Sequence, residues 1–268
     1  MGDAFSAVMG SIRFMETEAR TAATKQWSEN PAGINHAAAP EGTPEFYEQM
    51  TRSRYALQPW LPDLLRSWVP AGGRVLEIGC GAGTDHSVIA GIARETAAID
   101  LASRGARLTQ KRLELEGRPG IAQVADAEDM PFPDQSFDGV YSFGVLHHTD
   151  HPERVVEEMW RVMRPGATFM VALYHKHSMF AAQKAIEYIV RFRWRSQTWR
   201  DFLAELEYGA ADLVQRPLVR LYSRQAARNL FARFHDVRVR TEHPALSGYL
   251  LSDRLRPFGW YVVVTGRR

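Results

Sequence analysis

An α/β fold organised around a parallel sheet is what the sequence predicts, and three observations predict it. Between residues 74 and 174, short apolar runs alternate regularly with segments of helical periodicity, which is the rhythm of right-handed βαβ units. The first run ends in the glycines Gly79, Gly81 and Gly83, and the second in Asp100. Open α/β sheets bind ligands at the carboxyl ends of their strands. Finally, 268 residues that are 45% apolar, 24% charged and 11% aromatic suffice for one large core with decorations.

Taken in order, residues 5–19 set Phe5, Val8, Met9, Ile12, Met15 and Ala19 at helical spacing, so an amphipathic helix is expected that caps a site or joins two copies. Turn residues crowd 27–33 and 38–44, and a helix restarts at Pro44 and runs through Tyr55. Residues 1–70 thus read as an N-terminal helical cap ahead of a main domain at 71–268. There, strands are expected at 74–79, 96–100, 121–126, 137–144 and 168–174. Between them, helices run to about Arg94, from Ser103 to Glu116, and from Glu153 to Met163, where Arg164-Pro165-Gly166 stops the last. Residues 178–222 break the rhythm with helical, arginine- and tryptophan-bearing sequence and read as an inserted lid. Ser223 then caps a helix to Phe234, and 236–243 and 261–266 alternate as the last two strands.

The net charge of +2 conceals an asymmetry, −7 over residues 1–150 and +9 over 151–268, so an anionic partner would dock on the second half. One cysteine, Cys80, excludes a disulfide framework and a multi-cysteine zinc site and suits the reducing cytoplasm. No stretch approaches roughly 18 uninterrupted apolar residues, and no basic-then-apolar leader opens the chain. Neither a membrane nor nucleic acid is expected as a partner.

The glycine turn itself discriminates between ligands. A dinucleotide fingerprint needs its third glycine at position 84, where the chain has Thr84. Residues 75–85, with the turn Glu77-Ile78-Gly79-Cys80-Gly81-Ala82-Gly83, instead resemble the first motif of class I S-adenosylmethionine-dependent methyltransferases. The resemblance continues in order through Asp100, Asp126-Ala127-Glu128-Asp129, Phe143-Gly144-Val145-Leu146-His147-His148 and Met163-Arg164-Pro165-Gly166, covering about residues 71–174. It implies a Rossmann-like seven-stranded mixed sheet, helices on both faces, the last strand antiparallel, and S-adenosyl-L-methionine as cofactor. It further implies that Gly79, Gly81 and Gly83, with Cys80, Thr84 and Asp85 in the same motif, surround the methionine part while Glu77 orients its charged end. Asp100, followed by Leu101, is implied to accept from the ribose hydroxyls, Asp126 with Ala127 and Glu128 to read adenine, and Phe143 and Gly144 to line the cleft. Singly, the glycines need only turn the chain and Asp126-Ala127-Glu128 can be a solvated loop. Their joint occurrence at successive strand ends argues for binding.

Methyl transfer from a sulfonium is an in-line displacement, so alignment and water exclusion dominate. A base is needed only where the nucleophile carries a proton, and His147 and His148 are the candidates for it, against a role in shaping the loop. His147 and His151 have helical metal-ligand spacing, yet no carboxylate or cysteine set completes a site, and no metal is expected. Tyr47, with Arg52 and Arg54, is the candidate cap over the cofactor, joined by Trp27 and Asn30. Arg191, Arg193, Arg195 and Arg200, with Trp194 and Trp199, either cradle an anionic substrate or form a solvated face over buried rings. The tetrapeptide of nucleic-acid amino methyltransferases is missing after the fourth strand, where Ser142-Phe143-Gly144-Val145 stands, so a small metabolite of specialised metabolism is the implied acceptor. The alternative is a methyltransferase-like binding or cyclase protein that retains the cofactor without transferring its methyl group.

Overall fold

The computed structural model describes residues 27, 28, 34, 37–208, 218–246, 249–250 and 252–268. The helix expected at 5–19, with Asn30 and the lid residues 209–217, lies outside them.

Nine strands are described: β1 (Arg74–Ile78), β2 (Glu95–Asp100), β3 (Ile121–Val124), β4 (Phe137–Phe143), β5 (Met163–Tyr174), β6 (His235–Glu242), β7 (Ala245–Leu246), β8 (Tyr249–Leu250) and β9 (Tyr261–Arg267). Seven form one sheet in the order β3-β2-β1-β4-β5-β9-β6, while β7 and β8 pair separately. The first five run parallel, and β9 lies antiparallel to both β5 and β6. The sequence leaves β1 in one direction for β2 and β3 and returns to its other side with β4, so a crevice opens where the order reverses.

The helices are α1 (Pro44–Leu57), α2 (Leu61–Trp68), α3 (Thr84–Ala90), α4 (Ser103–Leu115), α5 (Pro152–Val162), α6 (Met179–Val190), α7 (Trp199–Tyr208) and α8 (Arg224–Leu230). Side-chain caps fix several starts: Thr43 accepts from the Phe46 N–H, Ser178 from Ala181 and Ser223 from Ala226. Period-two alternation splits the sheet between two cores. Phe169, Val171 and Leu173 face Val155 and Met159 of α5 and Ala227 of α8. Met170, Ala172 and Tyr174 face the other side, with Leu61 and Leu65 of α2 and Leu203 of α7. A smaller cluster joins Phe46, Tyr47 and Met50 of α1 to Leu108 of α4.

Several boundaries differ from expectation. The third strand ends at Val124, and Asp126 instead bridges Asp129. The helix after β1 is only seven residues and ends at Ala90, with Gly91 as its C-cap. α2 was not expected. The Arg164-Pro165-Gly166 stop lies inside β5, which starts at Met163. There the pairing jumps from Phe137 with Met163 to Gly139 with Thr168, so the turn-forming residues bulge out of a strand that continues on both sides. Arg164 from the bulge holds both Asp138 oxygens at 2.8 Å. The helix after Ser223 ends at Leu230, and the lid holds two helices, α6 and α7, joined through a 3-10 turn at Arg193–Arg195.

Candidate active site at the carboxyl ends of β1, β2 and β4

At the switch point the chain must turn tightly twice, and glycine is required at one place for a measurable reason. Gly79 has φ 75°, and a Cβ there would lie 2.1 Å from Val145 Cγ2. The turn therefore closes directly onto the loop after β4. The Gly79 N–H donates to the Ile99 carbonyl at 2.7 Å, tying the turn to β2. A Cβ on Gly81 would meet nothing within 4 Å, so its backbone borders open space.

That space is a cleft of two lobes. The first, about 940 Å³, is bordered by Ile78, Ile99, Asp100, Leu101, the segment 125–128 and His148. The second, about 1130 Å³, is bordered by Met50, Arg54, Gln58, Glu77, Tyr174 and Tyr261, with Cys80, Thr84 and Asp85 along its floor. Gly79, Gly81, Phe143, Gly144 and Trp27 border both.

Asp100 closes β2 with both carboxylate oxygens held by backbone: Gly81 N–H donates to Oδ2 at 2.8 Å and Ala102 N–H to Oδ1 at 2.9 Å. Burial pushes its pKa up, against those two donors. The carboxylate is thus fixed in orientation at the cleft wall, with lone pairs left to accept from a ligand hydroxyl. Beyond it, Asp126 accepts from the Glu128 N–H and Glu128 from the His151 N–H, which shapes the end of the first lobe.

The second lobe rests on a buried polar network. Asp85 accepts from Arg54 at 2.8 Å, Tyr141 at 2.9 Å and Tyr55 at 3.1 Å, and the Arg54 guanidinium lies 4.2 Å over the Phe143 ring. Glu77 meets His86 Nδ1 at 3.0 Å, and His86 Nε2 meets the Thr96 hydroxyl at 3.1 Å. That hydroxyl donates to the Pro119 carbonyl, so it accepts from His86 Nε2–H. Burial lowers His86 to about 4, which leaves a lone pair on its Nδ1. Burial and the neighbouring Asp85 push the Glu77 carboxyl well above the carboxylate range. Burial also raises the Cys80 thiol, which keeps it an inert wall.

Residues 76–171 match a family model described as a methyltransferase domain. Over that segment the chain is similar to methyltransferase domains. It is 34% identical over 157 residues to a phthiotriol/phenolphthiotriol dimycocerosates methyltransferase of Mycobacterium tuberculosis, covering 55% of this chain and 56% of that one. A fatty-acid O-methyltransferase of Mycolicibacterium smegmatis is 33% identical, with 49% and 47% covered. The chain thus spans about half the length of the curated relatives it matches. A solved S-adenosylmethionine-dependent methyltransferase of Thermotoga maritima shares the fold at TM-score 0.54 and 20% identity, over 83% of this chain and 97% of that one.

Around the cleft, the structure brings together most of the residues that the motifs indicated, and separates three. Gly83 borders neither lobe; a Cβ on it would meet Thr109 at 3.0 Å, so it allows α4 to approach the turn. Tyr47 is 4% exposed and donates to the Leu108 carbonyl at 2.7 Å, which makes it a strut between α1 and α4 and not a cap over a ligand. His147 is fully buried against Tyr174, ring centroids 3.8 Å apart, with neither ring nitrogen hydrogen-bonded. Its neighbour His148 does border the cleft. Arg191, Arg193, Arg195 and Arg200 border neither lobe, which favours the solvated-face alternative over a cradle for an anionic substrate. Arg52 pairs with Glu48 in solvent, whereas Arg54 and Trp27 do reach the cleft. Gln58, Tyr174 and Tyr261 carried no motif. Tyr174 and Tyr261 meet only because β5 and β9 pair in register at their ends. Among the described residues, no group of three or more His, Cys, Asp or Glu is placed to hold a metal ion.

Proposed function

We propose that the chain is an S-adenosylmethionine-dependent methyltransferase acting on a small molecule with a largely apolar body. The observation that carries this reading is the two-lobed cleft whose lobes join at Gly79, Gly81, Phe143 and Gly144. The first lobe suits an adenosine: Asp100 is prepositioned to accept from two ribose hydroxyls, and Ile78, Ile99 and Leu101 supply apolar walls for the ring. Bound S-adenosylmethionine supplies a methyl group on a sulfonium, open to in-line displacement. Glu77, Arg54 and the glycine turn are the groups that would hold its amino-acid end, and an ammonium beside Glu77 would draw that carboxyl toward its ionised form. The acceptor occupies the second lobe, whose Met50, Leu57, Phe143, Tyr174 and Tyr261 exclude water. Gln58 donates to Tyr261 Oη at 3.2 Å, while its buried Oε1 has no protein partner; an acceptor N–H or O–H satisfies it. Matched relatives named for a dimycocerosate and a fatty acid support an apolar acceptor.

Of the histidine pair only His148 borders the cleft, and it does so in the first lobe with its Nε2 buried, so it shapes the adenosine side and no proton transfer is assigned to it. Its Nδ1 lies 2.8 Å from the Leu218 carbonyl; a carbonyl only accepts, so Nδ1 carries the hydrogen and Nε2 the lone pair. The reading is tested by calorimetric titration with S-adenosylmethionine and S-adenosylhomocysteine, followed by labelled-methyl transfer to a panel of long-chain acids, phenols and quinols. Micromolar binding that weakens at least about tenfold in Asp100→Asn is expected, since a ribose hydroxyl loses a charged acceptor. Wild-type binding of neither ligand, or an unchanged affinity in Asp100→Asn, would sink the assignment.

A further inference from the structure

The lid carries a surface that the cleft does not explain. On α6, Ala182, Ile186, Ile189 and Val190 fall at helical spacing on one face, and that face points to solvent: Ile186 and Ile189 are each 61% exposed and Val190 65%. Phe192 and Trp194 extend it through the following turn at 60% and 56%. Phe192 has φ 53°, a left-handed backbone that bulky residues rarely adopt. A helix on a water-soluble surface places its apolar stripe inward. Here the inward side is already packed. Ala181 is buried, Tyr188 lies 5.3 Å from Trp199 and donates to the Gln197 carbonyl, and Phe180 lies against Trp260.

We infer that this face docks on an anionic lipid surface, with the apolar stripe in the headgroup–acyl boundary. Charge identifies the occupant. Residues 184–200 carry Lys184, Arg191, Arg193, Arg195 and Arg200 against the single carboxylate of Glu187, and Arg191, Arg195 and Arg200 are exposed beside the stripe. An apolar stripe with tryptophan and phenylalanine, flanked by arginines, is the composition of an interfacial helix. A second copy on a twofold axis would set the same cationic patch against itself. No helix among the described residues is long and apolar enough to cross a membrane, and docking in the interface plane needs none. The face is also connected to the cleft, since Phe180 packs on Trp260, which stacks 4.5 Å from Tyr174 of the second lobe. An apolar acceptor drawn from the bilayer would enter beside its own site. This inference stands without the methyl-transfer reading, because binding to vesicles is read without cofactor.

The test is co-sedimentation of the full chain with vesicles of phosphatidylcholine alone and with about 30% phosphatidylglycerol. Anionic vesicles are expected to bind at least about tenfold more tightly than neutral ones, less so as salt rises, with a blue shift of tryptophan emission that Trp194→Phe reduces. Ile186→Asp/Ile189→Asp should weaken binding at least about tenfold, and Arg191→Glu/Arg195→Glu should remove the preference for anionic lipid, both at unchanged melting temperature because the side chains are exposed. Failure of the wild type to bind anionic vesicles would overturn the inference. So would equal binding by the aspartate variant, or a solution dimer that this variant abolishes.

Discussion

His147 and His148 are adjacent in the chain and unlike in surroundings, and the difference is set by which side of one short 3-10 turn each occupies. His147 points into the core, where burial and the neighbouring His148 hold it well below its ordinary pKa and both nitrogens go without partners. Replacing a buried group whose hydrogen bonds are unmade with an apolar one of similar shape is neutral or stabilising. His147→Phe is therefore expected to keep turnover and to hold or gain about 1 kcal/mol of stability, measured by chemical denaturation. His148→Ala is expected to weaken S-adenosylmethionine binding about tenfold, because His148 forms part of the wall of the first lobe. Equal losses of affinity from the two variants in calorimetric titration would contradict the assignment. A pair of histidines is visible in sequence, but which of them faces a cleft is not, because a 3-10 turn sends successive side chains in different directions.

At the scale of elements, α1 is held to the catalytic layer by charge. Arg54 and Tyr55, one helix turn from its end, reach Asp85 on α3, where Tyr141 of β4 also donates. Asp85 is 5% exposed, so its removal leaves Arg54 and two hydroxyls without their acceptor. Asp85→Ala should destabilise the fold by at least about 2 kcal/mol and weaken cofactor binding, because Arg54 borders the second lobe. A variant that unfolds at the wild-type denaturant midpoint would show the network to be dispensable. The first-motif pattern indicated Asp85 as a ligand contact, and the structure gives it a supporting part as well. Elements β1 to β4 were legible because each is a short apolar run closed by glycine or aspartate. α2 was not, since Pro62 near its start resembles a turn until its Leu61 and Leu65 are seen beneath the sheet. The bulge in β5 was hidden for the converse reason: Arg164-Pro165-Gly166 has turn chemistry, and only pairing with β4 and β9 carries the strand past it.

For the whole molecule, burial of uncharged histidines sets the response to acid. Among the described residues, His86, His147, His175 and His243 are all lowered by burial, His86 to about 4. The unfolded chain takes up protons at these sites near pH 6.5 while the folded chain does not, so their contribution to stability is lost as pH falls from about 6.5 toward 4. Glu77 and Asp100, raised by burial, act with the opposite sign between about 4.5 and their raised values, two groups against four. The melting temperature should fall between pH 7 and pH 5, with a shallower slope in His147→Phe, and a flat wild-type profile by scanning calorimetry would refute this. The sequence by itself determined the alternating α/β order, the glycine turn and the acidic ends of the second and third strand segments, because these depend on local periodicity and on backbone angles that few residues tolerate. Only the tertiary structure decided that Gly83 and Tyr47 support rather than line the cleft, that Gln58, Tyr174 and Tyr261 wall its second lobe, and that the lid turns its apolar stripe outward. Those outcomes depend on contacts between residues far apart in the chain, and direction in space is not written in spacing along it.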